Sequence, residues 1–292
     1  MANDNYYEMR AFNFGAIKIQ DFQKSKIVIV PVAYDSTSYY KKGAKEGPRE
    51  IIMASRNLDE LTPDETGETM LGLRAADIFT LDEVVPTCNS AEEAIKGVEN
   101  AIQNEVLAHG KIPLMLGGEH SITLGAVRAL RKKYSDLSVL QFDAHSDLLD
   151  EIEGSKFSHA CVMRRIREEK IKTVQIGIRN YDPEIKAYIE KEKCSVFPAP
   201  KLPKPENVAK KLAKNVYLTF DLDAFDPSIM PSTGTPEPGG LYWHETIKFI
   251  EEISKHVNIV GADVVELMPI PGLHAPNFLA AKLVYNILKV II

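Results

Sequence analysis

A chain of 292 residues, 45% of them hydrophobic and 26% charged, has the composition of a soluble globular protein and is long enough for one large α/β domain over residues 1–292. A formal net charge of −6 speaks against nucleic acid as a partner and is compatible with a small cation, and no apolar run is long enough to span a bilayer. The opening MANDNYYEMR lacks the basic and apolar regions of a secretory leader. Cys88, Cys161 and Cys194 are too few and too irregularly spaced for a disulfide framework or a thiolate zinc site, so a reducing cytoplasm is expected.

In chain order, KIVIVPVAY (26–34) reads as a first strand, followed by a helix starting at GPREIIMASRNL. Residues 91–110 carry helical periodicity and stop at Gly110, after which KIPLML (111–116) is a short strand and SITLGAVRALRKKY a helix. The alternation continues through strands at 137–142, 173–178, 215–220 and 257–265. Helices are expected at 159–170, at DPEIKAYIEKE, at 244–256 and in the C-terminal NFLAAKLVYNILKVII. Near-continuous apolar strands joined by helices imply a parallel sheet covered on both faces, with ligands expected beyond the carboxyl ends of the strands.

The carboxylates and histidines fall where that rule puts a ligand. LML runs into GGEHS, which carries His120; VLQF runs into DAHSD, with Asp143, His145 and Asp147. YLTF runs into DLDAFDP, with Asp221 and Asp223, and VGADVV runs into ELMP, with Glu266. Alternate residues of an extended chain point the same way, so each motif can face one point. DAHSD and DLD together with His120 supply four carboxylates and two imidazoles, more than one ion can use together with a substrate, whereas two divalent ions bridged by shared carboxylates can use them all. Oxygen-rich ligation without thiolate favours Mn(II) and leaves Zn(II), Co(II) and Fe(II) open. Any one of these motifs alone reads equally well as a strand-end cap or turn; their joint occurrence at successive strand ends is what points to a metal site.

These motifs resemble those of the ureohydrolase family, the arginases and agmatinases, and the resemblance runs from GAKEGPREI (43–51) through GGEHS, DAHSD, FSHACVMRR and FDLDAFDPSIMPSTGTPEPGG to DVVELMP. It implies an arginase-like three-layer α/β/α sandwich with a central parallel sheet, and a site for two Mn(II) ions. One ion would be held by His120, Asp143, Asp147 and Asp221, the other by Asp143, His145, Asp221 and Asp223, with Asp143 and Asp221 bridging. A hydroxide shared by the ions would attack the guanidinium carbon of a small cationic substrate and release urea. Glu266 would pair with the guanidinium and Thr235 would touch it, while Asp147 would steer the hydroxide. His159 would pass a proton to the leaving amine; its plain structural alternative is a residue of the helix N-terminus. Relatives usually carry Gly after this histidine, where this chain has Ala160. The family also implies a homo-oligomer, a trimer or hexamer.

The loop LLDEIEGSKFSH lacks the Asn of the arginase carboxylate grip and carries Asp150, Glu151 and Glu153. Such a loop would repel a substrate carboxylate and attract a second amine, so agmatine is the expected substrate and Asp150 an expected contact. Aminopropylagmatine, guanidinobutyrate and arginine are the alternatives, and a solvated, flexible loop is the simpler reading of the acids. A one-zinc deacetylase-like amidohydrolase leaves Glu266 unexplained. A serine hydrolase lacks the G-x-S-x-G elbow, and no phosphate-cradling glycine loop is present. A metal-holding homologue that only binds its ligand is the alternative outside enzymes.

Overall fold

The apolar runs become buried strands, each covered on two sides. A computed structural model describes residues 11–61 and 74–291; the amino-terminal decapeptide, in which no leader was expected, lies outside the described residues. Among these residues the strands are β1 (Ile27–Pro31), β2 (Ile78–Thr80), β3 (Ile112–Leu116), β4 (Leu137–Phe142), β5 (Lys172–Ile178), β6 (Ser195–Pro198), β7 (Asn215–Asp221) and β8 (Asn258–Val265). They form one sheet in the order β2-β1-β3-β8-β7-β4-β5-β6, with every pairing parallel.

The helices are α1 (Gly47–Ser55), α2 (Ala91–Ala101), α3 (Thr123–Lys133), α4 (Val162–Glu168), α5 (Pro183–Lys191), α6 (Pro205–Ala209), α7 (Trp243–Ile253) and α8 (Ala275–Ile291). Alternate strand residues divide between two cores. Ile27, Ile29, Leu140, Phe142, Leu218 and Phe220 pack in one cluster with residues of α1, α6, α7 and α8. Val28, Val30, Val139 and Tyr217 pack in the other with residues of α2, α3 and α4. The result is the expected three-layer α/β/α arrangement, in which the inner strands bury both faces and the edge strands β2 and β6 are only partly covered.

Local chemistry sets the helix ends. The Ser90 hydroxyl accepts a hydrogen bond from Glu93 N at 3.1 Å to cap α2, and Asp182 Oδ1 accepts from Ile185 N at 2.9 Å to cap α5, where Pro183 occupies the first turn. The segment expected as one helix over 91–110 is α2 followed by a wider π turn (Ile102–Val106) and a 3-10 turn (Leu107–His109), closed by Gly110 at φ +71°. The helix expected from residue 159 begins at Val162, after a 3-10 turn over His159–Cys161. β2, β6 and α6 are absent from the sequence reading because they are three to five residues long, too short for a period to show.

The chain starts at β1, goes outward to β2 and returns past β1 to β3; from β4 it runs outward on the other side to β5 and β6, and β7 and β8 then fill the place between β4 and β3. The site-bearing strands β3, β8, β7 and β4 are therefore the four central neighbours, at the place where strand order reverses. Beyond β3, Gly118 permits a close crossing: a Cβ there would stand 1.8 Å from the Tyr34 carbonyl oxygen. Its own N–H donates to Val32 O at 3.0 Å, its carbonyl accepts from Glu266 N at 2.9 Å, and His120 is held beside both neighbouring loops.

Candidate metal centre

Two groups of ligand atoms meet at the carboxyl ends of β3, β4 and β7. In the first, His120 Nδ1 lies 3.1 Å from Asp143 Oδ2, 3.1 Å from Asp147 Oδ2 and 3.3 Å from Asp221 Oδ2. In the second, His145 Nδ1 lies 3.0 Å from Asp223 Oδ2 and 3.6 Å from Asp143 Oδ1. Ligand atoms of His120, Asp143 and Asp147 fall within 4.8 Å of one another, as do those of Asp143, His145 and Asp223, so Asp143 belongs to both sets. Asp221 reaches the first set through Oδ2, while its Oδ1 accepts from Asp223 N at 2.9 Å. All six sequence-expected ligands are thus brought together.

They converge by a different route from the one expected. The residues after β4 and β7 are not extended strand whose alternate side chains align. Instead, Asp143 Oδ1 accepts from His145 N at 2.6 Å and Asp221 Oδ1 accepts from Asp223 N, so each motif folds back on its first carboxylate. Asp147 and Glu266 sit at φ +52° and +66°, a left-handed backbone uncommon for either residue type and typical of positions held for function. Asp143 Oδ2 also accepts from Gln141 Nε2 at 2.6 Å, and Asp223 Oδ1 from Ala144 N at 3.0 Å.

The electrostatics are those of a place short of positive charge. Burial, reinforced by Asp143, pushes the Asp147 carboxyl above its usual range; burial with Asp223 and Asp143 pushes Asp221 well above it. Burial acts the same way on Asp223, but the His145 cation beside it holds that carboxyl below the usual range. Burial opposes charge on His120 and His145, yet the surrounding carboxylates raise both well above the ordinary imidazole value. Protons retained on this scale mark sites that divalent cations can take over. The donor set fits them: carboxylate oxygens and two imidazoles without thiolate, and a His120 Nδ1 that is buried without a hydrogen-bond partner.

A cavity of about 180 Å³ opens from these ligands to the surface, lined by Tyr39, His159, Asn180, Asp182, Thr235 and Glu266 among others. That volume suits a slender small molecule rather than a polymer. Glu266 Oε1 accepts from His120 N at 2.7 Å and lies 3.4 Å from His159 Nδ1. Burial works against a charged His159, but Glu266, Glu119 and Asp147 raise it to about 9. Its ring packs against Tyr39, its backbone N–H donates to Thr37 Oγ1 at 3.1 Å, and its Nε2 is buried without a partner. His159 also opens the 3-10 turn that leads into α4, next to Ser158 at its cap, so the helix N-terminus is what places its ring at the cavity. Thr235 Oγ1 donates to Asp223 Oδ2 at 3.4 Å.

Asp150 is the expected site residue that does not reach the cavity. It accepts from Arg165 Nη2 at 2.7 Å, and this bond holds its carboxyl below the usual range. The acid at the cavity wall is Asp182, after β5. Sequence reading passed over it because a D-P pair at a helix start already has an explanation as a cap. Glu119 was passed over too, although it lies within GGEHS: buried, it accepts from Thr37 N at 2.8 Å, Ser38 Oγ at 3.2 Å, Ser121 Oγ at 2.6 Å and the Thr37 hydroxyl. These contacts fasten the segment that carries Tyr39. Arg179 donates to the carbonyls of Asp223, Phe225 and Glu237, joining the end of β5 to the segments bearing Asp223 and Thr235. A polar residue inside an apolar strand, such as Gln141 in SVLQF, was the available signal for this supporting layer.

The chain is 34% identical over 284 residues to an N(1)-aminopropylagmatine ureohydrolase of Synechocystis sp., covering 92% of this chain and 90% of that protein. It is 36% identical over 278 residues to the enzyme of the same name from Thermus thermophilus, covering 91% and 90%. The solved structure of the agmatine ureohydrolase of Thermoplasma volcanium superposes with a TM-score of 0.81 at 31% identity, over 97% of this chain and 95% of that one. A family model described as the Arginase family matches residues 25–289, and with the six ligands gathered at the centre of the sheet, the chain belongs to that family.

Proposed function

We propose that this protein hydrolyses a guanidino group and releases urea, and that its substrate is agmatine, giving putrescine. The observation that carries the reading is the pair of ligand sets sharing Asp143, with Glu266 and His159 at one end of the same narrow cavity. As an arginase-family member related to named ureohydrolases, the chain is a hydrolase of C–N bonds. His120, Asp143, Asp147 and Asp221 would hold one divalent ion, and Asp143, His145, Asp221 and Asp223 the other; Mn(II) is the proposed metal. Bound there, two such ions lower the pKa of water enough to supply hydroxide near neutral pH.

The remaining work falls to side chains. Glu266 pairs with the planar guanidinium and orients its carbon, and Thr235 adds a hydroxyl contact. Asp147 orients the attacking water and receives its proton. His159, raised to about 9, holds a proton at neutral pH, and its unpartnered Nε2 delivers one to the leaving amine as the C–N bond breaks. Also on the cavity wall, Asp182 and the rings of Tyr39 and Tyr181 suit a terminal ammonium rather than a carboxylate. The relatives named for N(1)-aminopropylagmatine favour a second reading, in which a longer polyamine extends past this rim. We further propose one domain across the chain, a homo-oligomer (trimer or hexamer) and a cytoplasmic location; among the described residues no helix is long and apolar enough to cross a membrane.

The test is urea release by the Mn(II)-incubated protein from agmatine, aminopropylagmatine, guanidinobutyrate and arginine, assayed side by side. Agmatine turned over with the highest kcat/KM is the expected result, and aminopropylagmatine ahead of it selects the second reading. Absence of urea from all four while two ions are bound would make the chain a binding module.

A further inference from the structure

The cores of β7 and β8 contain buried polar residues that line no part of the cavity. Asp263 is completely buried in the middle of the sheet. Its Oδ2 accepts from Thr123 Oγ1 at 2.7 Å and from Tyr217 OH at 2.8 Å, and its Oδ1 accepts from Thr219 Oγ1 at 2.6 Å. On its other side, Thr219 Oγ1 stands 2.8 Å from His120 Nε2. A carboxylate can only accept, and a hydroxyl has one proton to give. Thr219 spends that proton on Asp263, so it meets the imidazole with a lone pair. The hydrogen between them then belongs to His120 Nε2, so Nδ1, the atom facing Asp143, Asp147 and Asp221, is the nitrogen left to meet a metal ion.

We infer that Thr219 and Asp263 are positioning residues that set the His120 tautomer and ring plane, and so present Nδ1 to a metal ion. The inference rests on the proposed metal centre and adds residues that touch neither ion nor substrate. A ligand histidine whose far nitrogen is held in this way binds metal more tightly, because its tautomer and ring orientation are already fixed when the ion arrives.

The test uses the full chain, stripped of metal by a chelator and titrated with Mn(II), with free Mn(II) counted by electron paramagnetic resonance. Thr219→Val keeps the volume and removes the hydroxyl. It should weaken one of the two ions by roughly 10- to 100-fold, the range known for lost outer partners of ligand histidines, and leave the other near its wild-type affinity. Thr219→Ser should restore binding. Asp263→Asn tests the same logic in reverse. Thr123 and Tyr217 pin the amide oxygen, which turns the NH₂ towards Thr219 and forces the Thr219 proton onto Nε2, and the imidazole hydrogen onto Nδ1. That variant should weaken the same ion at least as much, even if the valine variant fails to fold. Wild-type binding of both ions by Thr219→Val or by Asp263→Asn would overturn the inference, as would failure of the serine variant to rescue. His120→Asn separates this from failure of the metal centre itself: if it leaves two ions bound at wild-type affinity, His120 is no ligand.

Discussion

Asp150 and Asp182 show how an acid is assigned at the residue scale. Both follow a strand by a few positions and both were available to bind a substrate amine, but Asp150 is taken by Arg165 while Asp182 lines the cavity wall. Asp150→Asn should leave KM for agmatine within about twofold of wild type, since its carboxylate is turned to Arg165 and does not line the cavity. Asp182→Asn should raise KM about tenfold with little change in kcat, the loss of about 1.4 kcal/mol of binding that precedes the chemical step. Asparagine caps a helix as well as aspartate, so α5 should be unaffected, and thermal denaturation of the variant checks that. An unchanged KM in Asp182→Asn would remove Asp182 from amine recognition.

Among the elements, the segment 226–240 depends on a single carboxylate. Asp226 accepts from Ser228 N at 3.0 Å, Gly239 N at 2.8 Å and Gly240 N at 3.0 Å, and its pKa is lowered to about 2, chiefly by the Ser228 contacts. A lowered carboxyl pKa stabilises the fold above the unfolded value near 4, and that stability is lost as pH falls through about 2. Asp226→Ala should therefore destabilise the chelated protein by at most about 1 kcal/mol at pH 7 in urea titrations, because solvent screens this partly exposed carboxylate, with the gap to wild type closing between pH 4 and 2. A gap that stays constant with pH would mean the carboxylate charge is not what closes this loop. The strands that carry the site were legible because each is a largely apolar run of five to eight residues with both faces buried. The turns that follow them were not. Nothing in the pattern D-A-H-S-D tells an extended chain from one that folds back on its first carboxylate, because the choice is made by the hydrogen bonds that Ala144 N donates to Asp223 and Gln141 donates to Asp143 in the assembled protein.

For the whole molecule, the site is a charge problem set inside two apolar layers. The carboxylates are held close by a sheet whose cores lie on either side, so removing metal should leave secondary structure intact and lower the unfolding temperature. Mn(II) added to 100 times its Kd should restore about 2.7 kcal/mol per ion by mass action. Calorimetry of chelated and Mn(II)-loaded protein, with far-ultraviolet circular dichroism of both, checks this. A midpoint indifferent to Mn(II) would count against a metal centre here.

By itself, the sequence determined the layers, the family and six candidate ligands that the structure brings together. Apolar periodicity and strand-end motifs are local properties, visible wherever the chain is read. Only the tertiary structure decided that β3, β8, β7 and β4 lie side by side, that Asp182 rather than Asp150 borders the cavity, and that Thr219 and Asp263 stand behind His120. Those are matters of which strands pair and which backbone turns are held left-handed. Such choices are fixed by contacts between residues far apart in the chain, where no local period reaches.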